Sequence, residues 1–136
     1  MEGRGIWRFD LGTGAAAGDL IAEAPSPMLK PDVEGLTLLR EGAVTWLIAS
    51  SQGDSAFAVW RVDGAAPAYR GRFSAVATGG IDAVTGTDGV AAAGGVVGDF
   101  PEGLLVVQDD EDAGPRGARQ NFKLIDWREV KRALGL

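Results

Sequence analysis

Hydrophobic and polar positions along this chain alternate in short runs of period two, which is the signature of strands. Ile6-Trp7-Arg8-Phe9 alternates bulky and polar residues until Asp10-Leu11-Gly12-Thr13-Gly14 breaks it. Leu36-Thr37-Leu38-Leu39 is a short run closed by Arg40-Glu41-Gly42. Val44-Thr45-Trp46-Leu47-Ile48-Ala49 is β-branched and aromatic, hence a buried strand. Ala56-Phe57-Ala58-Val59-Trp60-Arg61-Val62 follows and ends at the turn pair Asp63-Gly64. Ala68-Tyr69-Arg70-Gly71-Arg72-Phe73 alternates with polar residues, as an edge strand should. Four antiparallel strands in so short a stretch have the size of one propeller blade.

A second pass of the pattern follows. Gly89-Val90-Ala91-Ala92 takes the place of Gly35-Leu36-Thr37-Leu38, and Leu104-Leu105-Val106-Val107-Gln108 that of the Trp46-to-Ser51 strand. Asn121-Phe122-Lys123-Leu124-Ile125-Asp126 takes the place of the Phe57-to-Val62 strand. The 127–136 segment (WREVKRALGL) reads as a helix with Val130 and Leu134 on one face. The expectation is an all-β chain: a partial β-propeller of about two to two and a half blades of four-stranded antiparallel sheet, with a short C-terminal helix. Residues 1–24 form a half blade, 33–75 a full one, 88–126 a three-stranded one and 127–136 the helix. A blade hides its inner face only against neighbours. Such a chain is therefore either a segment of a larger propeller or completes a ring by self-association.

Composition removes whole classes of chemistry. The 136 residues include no Cys and no His, which excludes disulfide frameworks, thiolate or imidazole zinc sites and Ser-His-Asp triads. The formal net charge is −6, so nucleic acid is not an expected partner. No run is long and apolar enough for a membrane helix, and the first ten residues lack the apolar middle of a secretory signal. Any catalysis must rest on carboxylates, hydroxyls, Lys or Arg, or a hard cation held by oxygen.

Four segments offer that oxygen chemistry. Asp32-Val33-Glu34-Gly35 carries two carboxylates two apart, which on a strand point to one side. Ser50-Ser51-Gln52-Gly53 ends a buried strand with two hydroxyls and an amide. The loop from Gly80 to Gly89 holds Asp82 and Asp88, and Asp109-Asp110-Glu111-Asp112 ends another strand. Calcium takes six to eight oxygens from such groups. Each segment also has an ordinary structural reading: Asp88-Gly89 as a turn former, Gln52 as a capping amide, the acidic run as a solvated turn. Composition and spacing alone support an acidic β-repeat domain.

The segments DVEGLTL, LIASSQGDSAFAVW, TGTDG, FPEGLLVVQDDED and QNFKLIDW, in this order, resemble the C-terminal part of the β-propeller phytases. These are six-bladed, calcium-dependent phosphatases that release phosphate from phytate. The resemblance implies that Asp32 and Glu34 hold catalytic Ca2+, that Gln52 contacts calcium through its amide, and that Asp88 sits beside that cluster. Asp32, Glu34 and Asp88 are thereby the candidate catalytic residues. Glu2 falls where the family has a metal-binding glutamate. Asp82, Asp109, Glu111 and Asp112 fall at a separate structural calcium site, with Ala83, Asp110 and Asp112 departing from the family's usual Gly, Gly and Asn. The family's basic substrate grip and several metal ligands lie in earlier blades, which implies that the isolated 136-residue chain is inactive. The resemblance also implies secretion or a periplasmic location, and phytate or other inositol phosphates as substrate once the missing N-terminal blades are supplied. The competing expectation is a non-catalytic calcium-binding or interaction module that uses exposed sheet edges.

Overall fold

The computed structural model describes residues 4–14, 16–111 and 119–136. Its strands are β1 (Ile6–Arg8), β2 (Asp19–Ala22), β3 (Leu36–Glu41), β4 (Val44–Ser51), β5 (Ala56–Arg61), β6 (Ala68–Phe73), β7 (Val90–Gly94), β8 (Gly103–Asp109) and β9 (Asn121–Asp126). They form three antiparallel sheets in which chain neighbours pair: β1-β2, β3-β4-β5-β6 and β7-β8-β9. The helix α1 (Trp127–Leu134) follows β9 directly. Apart from this helix and a single 3-10 turn at Gln52–Asp54, the regular structure among the described residues is all-β, and the arrangement is compatible with part of a propeller whose ring is not closed.

The middle sheet explains the packing. Because successive side chains of a strand point to opposite faces, the continuous apolar runs of β4 and β5 serve two cores at once. Trp46, Ile48, Phe57 and Val59 pack with Leu39, Val84, Leu105, Val107, Trp127 and Val130 on the side of the third sheet. Leu47, Ala49, Ala58 and Trp60 pack with Ile6, Ala22, Ala24 and Leu29 on the side of β1 and β2. Burying each of the larger side chains contributes about 1.5–3 kcal/mol, so both faces of β4 and β5 hold the sheets together.

The helix closes the first of these cores. Asp126 caps its N-terminus by accepting the Arg128 N–H at 2.9 Å, a contact typically stabilising by about 1 kcal/mol. Gly135 ends it in the left-handed conformation, φ 66°. Trp127 lies 6.0 Å from Trp46, ring centre to ring centre. At the same end Lys131 bridges Glu41 of β3 and Glu102 ahead of β8, joining two sheets through one ammonium.

Each of the two larger sheets leaves apolar side chains open. Leu36 and Leu38 share a face with the buried Leu47 through the β3-β4 register, yet remain 51% and 49% exposed, because the two-stranded β1-β2 sheet covers β4 and β5 but not β3. On the far side, Phe122 and Leu124 of β9 are 74% and 58% exposed.

Candidate functional site

The register brings the start of β3 beside the end of β4, since Leu36 pairs with Ala49. Likewise Val90 at the start of β7 pairs with Val107 near the end of β8. The segments 32–35, 50–53, 88–89 and 108–111 therefore occupy one end of the sheets. The edge strands β3 and β7 run side by side, with the Ala92 N–H donating to Thr37 Oγ1 at 3.1 Å. Gly35 is what permits this approach: a Cβ there would lie 2.7 Å from the Asp88 carbonyl oxygen and 2.9 Å from the Val90 nitrogen. Only a hydrogen fits.

Asp32 and Glu34 lie in an irregular segment ahead of β3 rather than on a strand. Two buried serines hold it. Ser50 Oγ accepts from the Glu34 N–H at 3.2 Å and the Gly35 N–H at 2.8 Å, and the Gly35 carbonyl accepts the Ser50 N–H at 2.9 Å. Ser51 Oγ accepts the Lys30 N–H at 2.7 Å and donates to Asp54 at 2.7 Å. Asp54 in turn accepts from Arg72 Nη2 through both of its oxygens, at 2.7 and 2.6 Å. Burial works against the Asp54 carboxylate, but the Ser51 and Arg72 hydrogen bonds outweigh it and lower its pKa.

Gln52 links the two sheets. Its backbone N–H donates to the Asp32 carbonyl at 3.1 Å, and its side-chain amide donates to Asp88 Oδ1. The Asp88 N–H is fixed by Gln108 Oε1 at 2.9 Å. Asp32, Gln52 and Asp88 are thus joined in one hydrogen-bonded chain, with Glu34 exposed beside it. Among the described residues neither Asp32 nor Asp88 forms an ion pair with Lys or Arg.

These donors are all hard oxygens of the kind calcium prefers, and in that respect they fit the cation that the resemblance implies. They do not make a full cage: among the described residues no three Asp or Glu side chains gather closely enough to hold a metal by themselves. With each carboxylate giving one oxygen, Asp32, Glu34, Asp88 and Gln52 Oε1 supply about four of the six to eight ligands calcium takes.

Asp82 and Asp109 belong to a second hydrogen-bonded network rather than to this rim chain. Asp109 is fully buried; its Oδ1 accepts the Thr85 N–H at 2.8 Å and the Thr85 hydroxyl at 3.2 Å. Its Oδ2 and Asp82 Oδ1 both meet Lys123 Nζ, at 2.5 and 2.6 Å. Asp110 accepts from the Gln120 amide at 2.7 Å, and Glu111 is exposed. Glu2 and Asp112 lie outside the described residues. A groove of about 430 Å³ runs between β6, β9 and α1, with Phe73, Val76, Ile81 and Ile125 among its walls and Asp82 and Lys123 at its lining. It does not reach the rim.

Sequence reading places Ser50 and Ser51 as hydroxyls at the end of a strand; the structure makes them buried clamps of the 30–35 segment. Two contributors have no role in that reading: Gln108, which orients Asp88, and Lys123, marked by its alternation with Asn121 and Ile125.

A family model of phytases matches residues 1–136. The 3-phytase of Bacillus subtilis (strain 168) is 31% identical over 138 residues, a match that takes in 98% of this chain and 36% of the relative. The chain therefore spans about a third of the length of that curated relative. With the order of its segments, its antiparallel sheets and a match along its whole length, the chain belongs to the phytase family.

Proposed function

We propose that this chain is the C-terminal portion of a calcium-dependent β-propeller phytase and contributes part of its catalytic rim. The carrying observation is that Gln52 ties the Asp32 segment of one sheet to Asp88 of the next at a common end. Calcium bound there would neutralise phosphate charge and lower the pKa of an attacking water. The chain's own share is to position: Ser50 and Ser51 fix the Asp32–Glu34 segment, Gly35 lets it reach Asp88, and Gln108 holds the Asp88 backbone. Asp32, Glu34 and Asp88 are the catalytic and metal-holding carboxylates in this reading, with Gln52 as an amide ligand and Glu2 as a further one. The open faces at Leu36, Leu38, Phe122 and Leu124 support neighbouring blades on both sides. The blade assignments 1–24, 33–75 and 88–126 follow from that reading, as do inositol phosphates as substrate and a location outside the cytoplasm.

The test is a chimera in which the part of the Bacillus subtilis relative outside the match is fused ahead of this chain. Phosphate release from calcium phytate is expected from the chimera and not from the 136-residue chain alone. Glu34→Gln in the chimera should abolish turnover. An equally active Glu34→Gln chimera would sink the assignment. If the alternative module that closes a ring by self-association were right, the isolated chain would run as a discrete oligomer on sizing chromatography.

A further inference from the structure

An ammonium group has three N–H donors and no acceptor. Lys123 Nζ meets three oxygens: Asp109 Oδ2 at 2.5 Å, Asp82 Oδ1 at 2.6 Å and the Ala83 carbonyl at 3.0 Å. All its donors are used. The Lys123 side chain is 10% exposed and that of Asp109 is fully buried. The placement is built into the sheet, because Lys123 pairs with Val107 and Asn121 with Asp109, so its stem follows the buried face of β9. The Thr85 contacts occupy the other Asp109 oxygen.

We propose that the Lys123 ammonium is the resident cation of the Asp82–Asp109 cluster and pins the 82–85 segment to β8 and β9 without a divalent metal. This departs from the structural calcium that family resemblance places at Asp82, Asp109, Glu111 and Asp112. The donor set does not favour that ion here. A divalent cation among the same oxygens would sit beside a buried positive charge, and Asp110 and Glu111 turn to Gln120 and to solvent. The rim differs in kind, since among the described residues no ammonium or guanidinium pairs with Asp32 or Asp88. One observation points the other way: Asn121 Oδ1 is buried without a hydrogen-bond partner, next to Asp109 across the strand pair.

The experiment is a double-mutant cycle of Lys123→Met and Asp82→Asn, read as melting temperature in EDTA and in millimolar calcium. Each single variant should melt about 5–10 °C lower, and the double variant little lower than either. The coupling should be the same in both buffers. In the wild-type chain, the Lys123 ammonium should give an exchange-protected nitrogen resonance that calcium leaves unchanged, a readout independent of how the variants fold. The proposal is overturned if the coupling vanishes in calcium. It is also overturned if calcium abolishes that resonance, or if Asn121→Ala or Asp109→Asn removes a calcium equivalent that the wild type binds.

Discussion

Ser50 is where the rim can be loosened with one atom. Its hydroxyl oxygen accepts two backbone N–H groups, from Glu34 and Gly35, and the residue is fully buried. Ser50→Ala keeps the strand and its packing but leaves the buried Gly35 N–H without an acceptor. The Glu34 N–H is nearer the surface, so water can replace most of what it loses. One full penalty for an unsatisfied buried donor plus a fraction of a second comes to about 2 kcal/mol. For a chain of this length that corresponds to a melting temperature about 8 °C lower. Hydrogen exchange should localise the effect: the Gly35 amide should lose protection by about 30-fold. Ser26→Ala is the control, since Ser26 Oγ serves the Met28 and Leu29 amides at 3.2 Å each; it should loosen that turn and leave Gly35 protected. A Ser50→Ala chain that melts like wild type, or that keeps its Gly35 protection, would refute the clamp.

Gly35→Ala should cost about 1–3 kcal/mol, because its Cβ would meet Asp88 and Val90 backbone atoms that no rotamer change can move; urea melts check it, and a neutral result would mean β3 and β7 are not in contact. Stability should be level from about pH 5 to about pH 9, since the chain has no His to titrate there. Below that window it should fall, with the sign set by depressed carboxylates. Glu41 is burdened by burial but lowered overall by Lys131 and Trp46, and Asp63 is brought down to about 2 by Arg61. Groups lowered in the folded state contribute above their unfolded pKa, and the contribution is lost as pH falls through the folded one. Lys131→Met should make the acid limb of a melting-temperature profile shallower and lower the neutral plateau, because Glu41 and Glu102 lose their shared partner; an unchanged acid limb would show that Glu41 draws nothing from Lys131.

Where tertiary packing and local pattern agree, the sequence was readable. The β-branched and aromatic runs of β4 and β5 are continuous because both faces are buried, and the helix after Asp126 announces itself with an Asp cap and a terminal Gly. Asp19–Ala22 carries little strand signal of its own: it is four residues long with its first two exposed, follows an Ala- and Gly-rich stretch, and is defined by its pairing with β1. Ser50 and Ser51 read as rim hydroxyls because they follow the apolar run. The strand in fact continues through them, turning both inward, where irregular backbone at 30–35 needs acceptors.

The acidic run 109–112 shows why spacing alone could not separate ligand from turn. The ladder to β9 sends the three described residues to different surroundings. Asp109 falls opposite Asn121, on the same face as Lys123, so it is drawn inside and neutralised; Asp110, one residue on, faces Gln120; Glu111 is left to solvent. A lysine placed between Asn121 and Ile125 on a buried face must find carboxylates, and the chain supplies one from the β8 end and one from the loop at Asp82. A period-two count along Asn121-Phe122-Lys123-Leu124-Ile125 contains half of this argument, since it puts Lys123 on the side of Ile125 and exposes Phe122 and Leu124. The other half, which face is covered, belongs to the neighbouring sheet and becomes visible only when β7-β8-β9 is packed against β3-β4-β5-β6.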